Sequence, residues 1–169
     1  MLKFYSLSKV YGPYEYPPEM KSTVKWTYTG NFYLGQRHGY GHETSSLGSS
    51  YLGQFANDLR HGKGRLVTSK GDYYYGDFQN DEFHGKGVFY DASMQTEYDG
   101  DFYEGLRHGK GLMKFKDGSF YEGDFLNGLM EGQGKYKFID GSVYQGQLRD
   151  GVAEGKGVLN YKNGEVYSG

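Results

Sequence analysis

Apolar or small residues alternate with polar residues at a period of two along most of the chain. In the segment Tyr121–Phe125, Tyr121, Gly123 and Phe125 share one side of an extended strand, and two carboxylates occupy the other side. The segment 132–138 alternates in the same way, and no segment has the 3.6-residue period of a helix. The pattern therefore predicts an all-β protein.

The alternating segments recur about every 23 residues. A Tyr-x-Gly triplet begins at seven positions, at intervals of 23, 23, 24, 23, 23 and 23 residues. Ten residues after each of the first six tyrosines, a His or Glu precedes Gly-x-Gly. The repeats begin at Tyr28, Tyr51, Tyr74, Tyr98, Tyr121 and Tyr144, with a partial repeat at Tyr167. We therefore divide the chain into an N-terminal extension or cap, residues 1–27, and a repeat array, residues 28–169.

Each repeat is predicted to be a β-hairpin, and six hairpins side by side give an elongated single-layer antiparallel meander of about twelve strands. Asp117-Gly118, Asp140-Gly141 and Asn163-Gly164 join successive repeats. These dipeptides favour type I′ turns because both central residues need a positive φ. The loop within a repeat, such as 127–130, is predicted to be longer. Strong right-handed twist would wrap the aromatic face of this sheet into a groove.

A strand register follows from the same pattern. Pairing Phe78 with Gly85 places Gly76 opposite Gly87, and the ring of Tyr74 then lies over a glycine that has no Cβ to obstruct it. We expect the glycines to serve this purpose, because they let large rings lie flat across the sheet. On the other face, this register pairs four polar residues with lysines: Asp77 with Lys86, Asp101 with Lys110, Gln54 with Lys63, and Gln147 with Lys156.

Composition excludes several classes of protein. The 169 residues include 29 glycines, of which three per repeat are accounted for, and no cysteine. A disulfide framework, a thiolate metal site and a cysteine nucleophile are therefore excluded. The net charge of −2 gives no overall attraction to nucleic acid, so no nucleic-acid partner is predicted. No run approaches the roughly 18 apolar residues of a membrane-spanning helix, and we expect a soluble intracellular protein.

Four histidines precede Gly-x-Gly, namely His38, His61, His84 and His108. Equivalent residues of neighbouring repeats lie two strands, about 10 Å, apart. Ligands of one metal ion must each lie about 2 Å from it, so this column predicts a structural role. No Gly-rich segment leads from a strand into a helix, and no serine lies in Gly-x-Ser-x-Gly. We therefore predict no catalytic residue, no metal and no cofactor.

The unit Tyr-x-Gly-x-Phe…His/Glu-Gly-x-Gly strongly resembles the MORN repeat (membrane occupation and recognition nexus). The segments Tyr121–Phe125 and Arg107–Gly111 stand at positions typical of that family, and the resemblance extends over residues 28–169. The chain departs from the family pattern where Phe replaces the frequent Trp, and at Leu148. The resemblance implies an elongated scaffold or adaptor. Family members occur in cilia and flagella (radial spokes, central apparatus), cytoskeletal collars and membrane junctions, and some hold a helical peptide of a partner in the aromatic groove.

One row of aromatic residues is predicted to line the groove of a sheet that has no second layer. Contiguous exposed apolar surface usually marks a partner site, so we expect the groove to bind a protein segment, either an amphipathic helix or an extended tail. The predicted groove residues are Tyr28, Phe32, Tyr51, Phe55, Tyr74, Phe78, Tyr98, Phe102, Tyr121, Phe125 and Tyr144. With the resemblance, this row predicts a non-catalytic scaffold for protein partners in a ciliary or flagellar axoneme or another cytoskeletal assembly of the cytoplasm.

Two alternative functions remain. One is a peripheral membrane tether that binds anionic phosphoinositides at about 1 kcal/mol per basic residue. Its candidate residues are Lys63, Lys86, Lys110 and Lys156. Asp77 and Asp101, however, are expected opposite two of these lysines and would cancel much of their field. The other alternative is a regulatory module that acts with an enzyme in trans.

The two ends of the sheet predict self-association, because an unprotected strand edge can pair with another chain. The last strand, ending at Tyr167–Gly169, is one such edge. At the other end, Leu2–Leu7 is predicted to be a strand. The extension is expected either to protect the first edge or to dock onto a partner.

Overall fold

The structure is a computed structural model, and it describes residues 24–169. Thirteen strands form one antiparallel sheet whose spatial order follows the chain. The strands are β1 Trp26–Tyr33, β2 Gln36–Ser45, β3 Ser50–Ala56, β4 Leu59–Val67, β5 Tyr73–Gln79, β6 Glu82–Asp91, β7 Thr96–Tyr103, β8 Leu106–Lys114, β9 Phe120–Leu126, β10 Leu129–Lys137, β11 Val143–Arg149, β12 Val152–Asn160 and β13 Val166–Ser168. The predicted all-β meander is confirmed, with a thirteenth strand from the partial repeat. The predicted strand Leu2–Leu7 lies outside the described residues.

Each described strand pairs only with its neighbours in the chain, and the sheet is not closed. Thirteen strands at about 4.8 Å spacing extend about 58 Å along the sheet. Each repeat is therefore supported by the repeats on either side of it and by no distant part of the described chain.

The two kinds of turn are the reverse of the prediction. Within a repeat, only Asn127 and Gly128 separate β9 from β10, and their φ values of 48° and 87° are both positive, as a type I′ turn requires. Between repeats, five residues separate β8 from β9, and the Gly118 N–H donates to the Phe115 carbonyl at 3.0 Å. Gly118 has a φ of 86°, whereas Asp117 keeps a negative φ. The Asp-Gly loops are longer because Asp117 accepts the Ser119 N–H at 2.9 Å and extends the turn.

A β-bulge in each of the six hairpins also corrects the predicted register. Gly76 pairs with Gly87 as predicted. The register then shifts, so Phe78 faces Phe83 rather than Gly85. Gly85 and Lys86 are the two extra residues of the bulge. Gly85 has a φ of 56°, a conformation that glycine adopts without the steric penalty of a side chain.

The bulge moves the predicted ion pairs into the neighbouring repeat. Each lysine pairs with the aspartate of the following hairpin: Lys63 with Asp77 at 2.7 Å, Lys86 with Asp101 at 2.7 Å, and Lys110 with Asp124 at 2.6 Å. Within its own hairpin, Asp101 instead accepts the main-chain N–H of Lys110 at 3.2 Å. Gln54 and Gln147 accept the N–H groups of Lys63 and Lys156 in the same way, at 2.8 and 3.0 Å.

Rings in edge-to-face contact form the core of the sheet. The Phe55 ring lies 5.1 Å from Tyr28 of the preceding repeat and 5.1 Å from Tyr51 of its own repeat. We call this row the aromatic ladder: Phe32, Tyr28, Phe55, Tyr51, Phe78, Tyr74, Phe102, Tyr98, Phe125 and Tyr121. Leu148 takes the next phenylalanine position. Such ring pairs add about 0.5–1.5 kcal/mol beyond the area they bury.

Candidate functional site

Most of the predicted groove residues form the core rather than an accessible surface. Nine of the eleven are at most 5% exposed: Tyr51, Phe55, Tyr74, Phe78, Tyr98, Phe102, Tyr121, Phe125 and Tyr144. Tyr28 is half-buried and Phe32 is 62% exposed. The expectation that the whole row is exposed is therefore wrong, because neighbouring rings of the ladder enclose one another. Its role in binding a partner stays a prediction.

A second column of side chains lies against the tyrosines, with contacts over the rings of Tyr28, Tyr51, Tyr74 and Tyr98. Each of these side chains comes nine residues after its tyrosine, and we call them the cover residues: Arg37, Arg60, Phe83, Arg107, Met130 and Ala153. The Phe83 ring stacks on Tyr74 with centroids 3.8 Å apart. The Arg60 guanidinium carbon lies 5.2 Å from the Tyr51 centroid, a cation–π contact. The sequence analysis did not identify this column as part of the core, although its fixed spacing from each tyrosine was a usable signal.

Arg107 is a buried charge in the middle of the sheet, only 2% exposed. Its Nη2 donates to the Gly128 carbonyl at 2.9 Å, and its Nη1 lies 3.4 Å from the Met113 sulfur. Burial lowers the pKa of Arg107 to about 10, so the guanidinium remains charged at neutral pH. These contacts join the fourth repeat to the turn of the fifth, which is a structural role.

Glu43 is the acidic counterpart at the start of the array. It is buried and accepts from Arg37 Nη1 at 2.5 Å and from Arg60 Nη2 at 3.3 Å. The equivalent residues of the next two repeats are Leu66 and Phe89, so Glu43 stands in an apolar column. Two guanidinium groups compensate the buried carboxylate, which connects the first two repeats.

The accessible aromatic surface comes from the second strand of each hairpin and the turn that follows it. Phe89, Phe115, Tyr136 and Phe138 are half-buried and pack against the ladder, and Tyr161 is exposed. We call these five residues the second aromatic row. Burial raises the pKa of Tyr136, whose hydroxyl lies 3.2 Å from the Ser119 hydroxyl.

The second aromatic row is continuous in the later repeats. The Tyr136 ring centroid lies 5.7 Å from that of Phe115 and 4.8 Å from that of Phe138. At the equivalent positions, the first repeat has Glu43 and Ser45, and the second has Leu66 and Thr68. The row therefore begins at the third repeat. Tyr136 and Phe138 lie in the alternating segment 132–138, but they are outside the first-strand motif that carries the predicted groove residues.

The opposite face of the sheet contains a shallow trough of about 630 Å³. Main chain at Gly100, Gly111, Gly123 and Gly134 contributes to its surface. Charged side chains of both signs line it, with Lys86 and Lys110 near Asp99 and Glu122. The face is therefore polar and mixed in charge.

The predicted basic stripe lies on this opposite face. Lys63, Lys86 and Lys110 each lie within 2.7 Å of an aspartate, which cancels much of their field. The Lys156 N–H is bonded to Gln147. The geometry gives little support to a phosphoinositide site here.

The histidines do not converge on one point. The His84 and His108 rings lie 5.4 and 5.8 Å from the intervening Tyr103 ring. Across residues 24–169, no three His, Asp or Glu side chains are arranged to hold a metal ion. Within the same range, no helix is long and apolar enough to cross a membrane.

The family model of the MORN repeat matches six consecutive segments, residues 28–49, 51–73, 74–93, 98–120, 121–143 and 144–166. The chain belongs to the MORN-repeat family. Each matched segment contains the first tyrosine of one repeat and the glycines that follow it. No curated protein sequence matches the chain.

Two solved structures resemble the MORN array. The TCP10 domain of Danio rerio CPAP, in complex with a peptide of Danio rerio STIL, has a TM-score of 0.51 and 12% identity, over 84% of this chain and 64% of that chain. The TCP domain of Drosophila melanogaster SAS-4, in complex with a proline-rich motif of Ana2, has a TM-score of 0.44 and 14% identity, over 78% and 83% of the two chains. The MORN chain thus spans 64% of the length of the Danio rerio chain. At these identities the similarity concerns the fold alone.

Proposed function

We propose that this MORN-repeat chain is a non-catalytic scaffold that holds a segment of a partner protein against the aromatic face. The observation that carries the proposal is the second aromatic row, whose rings remain partly accessible on a sheet that has no second layer among the described residues. Contiguous apolar surface of this kind marks an interaction site. The buried ladder supports the row from beneath and is not itself the contact surface.

The geometry of the row supports an amphipathic helix as the bound segment. Successive repeats present equivalent rings about 9.6 Å apart, since each repeat contributes two strands. Residues i and i+7 of a helix lie about 10.5 Å apart on nearly the same face. A helix lying along the sheet would therefore place an apolar side chain near each of the equivalent rings Phe115, Phe138 and Tyr161.

Two further observations support the proposal. The Danio rerio TCP10 domain, which shares this fold, was solved with a peptide of another protein. Membership of the MORN family extends the proposal to a place in a ciliary or flagellar axoneme or another cytoskeletal assembly. A fluorescent fusion in ciliated cells tests that location, and staining confined to structures other than cilia and cytoskeleton would contradict it.

Affinity capture from ciliated-cell extract with matched variants tests the binding face. Phe115→Ala combined with Phe138→Ala removes two half-buried rings of the second row. The control combines Leu52→Ser with Tyr75→Ser, two exposed side chains on the opposite face. We expect the first variant to lose the captured protein and the control to retain it, with both folded by circular dichroism.

Two results would overturn the proposal. Capture that survives the Phe115/Phe138 substitutions in a folded protein, or that is lost only in the Leu52/Tyr75 control, places the contact elsewhere. Flotation with phosphoinositide vesicles that falls steeply with salt, and no captured protein, supports the membrane alternative instead, because lipid attraction is screened whereas apolar contact is not.

A further inference from the structure

The hairpin turns of the fourth and fifth repeats carry apolar side chains on the face opposite the aromatic ladder. Tyr103 pairs with Leu106 across the first of these turns, and Leu126 pairs with Leu129 across the second. Tyr103 is 50% exposed and Leu126 is 47% exposed, while the other two side chains are half-buried. We call these four residues the turn patch.

The two turns form one continuous surface, because β8 and β9 are neighbours in the sheet. The pairing of Gly109 with Phe125 places His108 beside Leu126. The His108 ring centroid also lies 5.8 Å from that of Tyr103, so the imidazole fills the space between the two turns. Contiguous exposed apolar surface of this kind marks an interaction site.

The hairpin itself does not require apolar residues at these positions. The third repeat forms the same bulged hairpin with Gln79 and Glu82 at the equivalent positions. In the sixth repeat, Arg149 pairs with Val152 there. Polar residues are thus compatible with the turn, and half-exposed side chains gain only part of the free energy of burial. Contact with another molecule therefore explains the turn patch better than the stability of the sheet does.

The turns around the patch are acidic. The turn segments of the third to sixth repeats contain six carboxylates and two guanidinium groups, a net charge of −4 with neutral histidines, whereas the whole chain has −2. These segments are 79–84, 103–108, 126–131 and 149–154. One of the two cations, Arg107, is buried over the Tyr98 ring on the aromatic face. The other, Arg149, lies 2.9 Å from Glu154.

Exposed carboxylates lie on both sides of the turn patch. Glu82 precedes the patch in the third repeat, and Asp150 follows it in the sixth. Glu104 lies in the turn itself, and a hydrogen bond with its carboxylate raises the pKa of Tyr103. Within residues 24–169, no lysine or arginine forms an ion pair with these three carboxylates. Their negative charge is therefore available to a partner.

We propose that the turn patch binds a basic, amphipathic helix of a partner protein. Apolar side chains of the helix contact Tyr103 and Leu126, and its lysines or arginines reach the surrounding carboxylates. The turn patch is separate from the second aromatic row, so this proposal does not depend on the function proposed above.

The spacing of the turns fits a helix that lies along the sheet. Equivalent residues of the two turns are about 9.6 Å apart, close to the roughly 10.5 Å between residues i and i+7 of a helix. Glu82 and Glu154 lie on β6 and β12, about 29 Å apart, which is the length of about 20 helical residues. The expected helix therefore has apolar residues near its middle and basic residues toward both ends. An anionic membrane would be repelled by the same carboxylates.

Fluorescence anisotropy with a designed peptide tests this surface in the full chain. The probe is a labelled helical peptide of about 20 residues, with leucines on one face and lysines elsewhere. One comparison peptide replaces its lysines with glutamates, and another replaces its leucines with serines. We expect only the Leu/Lys probe to bind, and its affinity to fall with salt because the attraction between charges is screened.

A substitution of the apolar anchors locates the contact. Tyr103→Ser combined with Leu126→Ser should weaken binding of the Leu/Lys probe about tenfold, because a few apolar anchors carry most of the affinity of an interface. Both side chains are about half exposed, so the variant should keep its circular dichroism spectrum. Phe115→Ala combined with Phe138→Ala is the matched control on the aromatic face and should leave binding of the probe unchanged.

A charge substitution provides a second variant that leaves the apolar residues in place. Glu104→Gln combined with Asp150→Asn should weaken binding about fivefold and reduce its dependence on salt, because two exposed charge contacts are lost. Asp99→Asn combined with Glu122→Gln removes the same charge from the trough on the same face. This matched control should leave the affinity unchanged.

Four results would overturn the proposal. The Glu peptide could bind as tightly as the Leu/Lys probe, or the Tyr103/Leu126 variant could retain full affinity. Loss of binding in the Phe115/Phe138 variant instead would assign the contact to the second aromatic row. A doubled mass in light scattering that the Tyr103/Leu126 substitutions abolish would show that a second copy of the chain covers the patch.

Discussion

At the scale of single residues, the glycine content follows from the tyrosine rings that lie on it. An added Cβ at Gly76 would lie 2.5 Å from the Tyr74 hydroxyl oxygen, and one at Gly87 would lie 2.4 Å from the same atom. The Tyr74 hydroxyl donates to the Asp77 carbonyl at 2.8 Å, which fixes the ring in this place. The glycines therefore provide the space that a flat ring needs.

Gly87→Ala is expected to destabilise the protein by about 3 kcal/mol, because the new methyl group must displace a buried ring. Gly118→Ala is the matched control. Gly118, unlike Gly87, has a positive φ, and no atom lies within 4 Å of an added Cβ there, so its substitution should cost only the backbone strain of about 1 kcal/mol. Urea unfolding of the two variants measures the difference. Equal losses would show that ring contact does not explain the glycines.

The ladder tyrosines are expected to destabilise the fold at alkaline pH. Burial raises the pKa of four of them above the ordinary value near 10: Tyr51, Tyr74, Tyr98 and Tyr121. The unfolded chain releases these protons near pH 10 and the folded chain keeps them, so the free energy of unfolding falls as pH rises above about 10. The lowered pKa of Arg107 acts in the opposite direction, but it is one group against four.

Urea unfolding between about pH 8 and pH 11 measures this dependence. The free energy of unfolding should be flat at first and then fall. Tyr98→Phe removes one of the four groups, so the free energy of unfolding of this variant should fall less steeply with pH. A wild-type curve that stays level through pH 11 would mean that these tyrosines are not protected in the folded state.

At the scale of the hairpin, the bulge and its cap set the register. The side chain three residues after each of five tyrosines accepts a main-chain N–H from the opposite strand: Gln54, Asp77, Asp101, Asp124 and Gln147. Aspartate and glutamine serve equally, so the hydrogen bond and not the charge is the common requirement. The ion pair with the neighbouring lysine is an additional contact where an aspartate is present.

Substitution of Asp101 separates these two contributions. Asp101→Asn retains an acceptor for the Lys110 N–H and loses the ion pair with Lys86, so we expect a loss within about 0.5 kcal/mol for an exposed pair. Asp101→Ala removes both contacts and should cost about 1–1.5 kcal/mol. Chemical denaturation measures both values. Equal losses for Asn and Ala would show that the charge, and not the hydrogen bond to the bulge, provides the stabilisation.

At the scale of the whole molecule, stability is distributed in one dimension. Among the described strands, hydrogen-bonded pairing joins only consecutive ones, and the ladder passes from each repeat to the next. Phe102 is enclosed by Tyr74 and Tyr98, so it connects two repeats. A substitution in one repeat should therefore destabilise the adjacent repeats more than the ends of the array.

Phe102→Ala is expected to cost about 3–5 kcal/mol, because it removes a buried ring from the middle of the ladder. Hydrogen exchange should accelerate most in β5–β8 and least in β1 and β12. The matched variant Leu126→Ala, at an exposed position on β9, should change exchange little. Uniform acceleration along all strands would indicate global rather than local cooperativity. Combining Tyr98→Ala with Phe102→Ala should therefore disrupt the sheet as well as the binding of any partner.

The sequence alone was sufficient to predict the repeat, its hairpins and the aromatic face. The pairing of Gly76 with Gly87 could also be predicted, because two glycines and one ring must coincide. The candidate site was only partly predictable. First-strand rings such as Tyr98 carry the motif but are buried. Second-row rings such as Phe115 lie outside that motif, and aromatic residues recur at this position only in the later repeats, as Phe138 and Tyr161.

Strand period, repeat length and strand order were thus determined by local chemistry: side chains alternate at a period of two, and each 23-residue unit can pair with the next without a crossover. The tertiary structure decided which rings are covered and which charges pair. Both outcomes depend on contacts between repeats: Arg107 is buried against the turn at Gly128, and Lys86 reaches Asp101 of the next hairpin. A bulge with two extra residues, Gly85 and Lys86, produces that offset, because it shifts the register by two residues and brings Asp77 opposite His84 instead of Lys86.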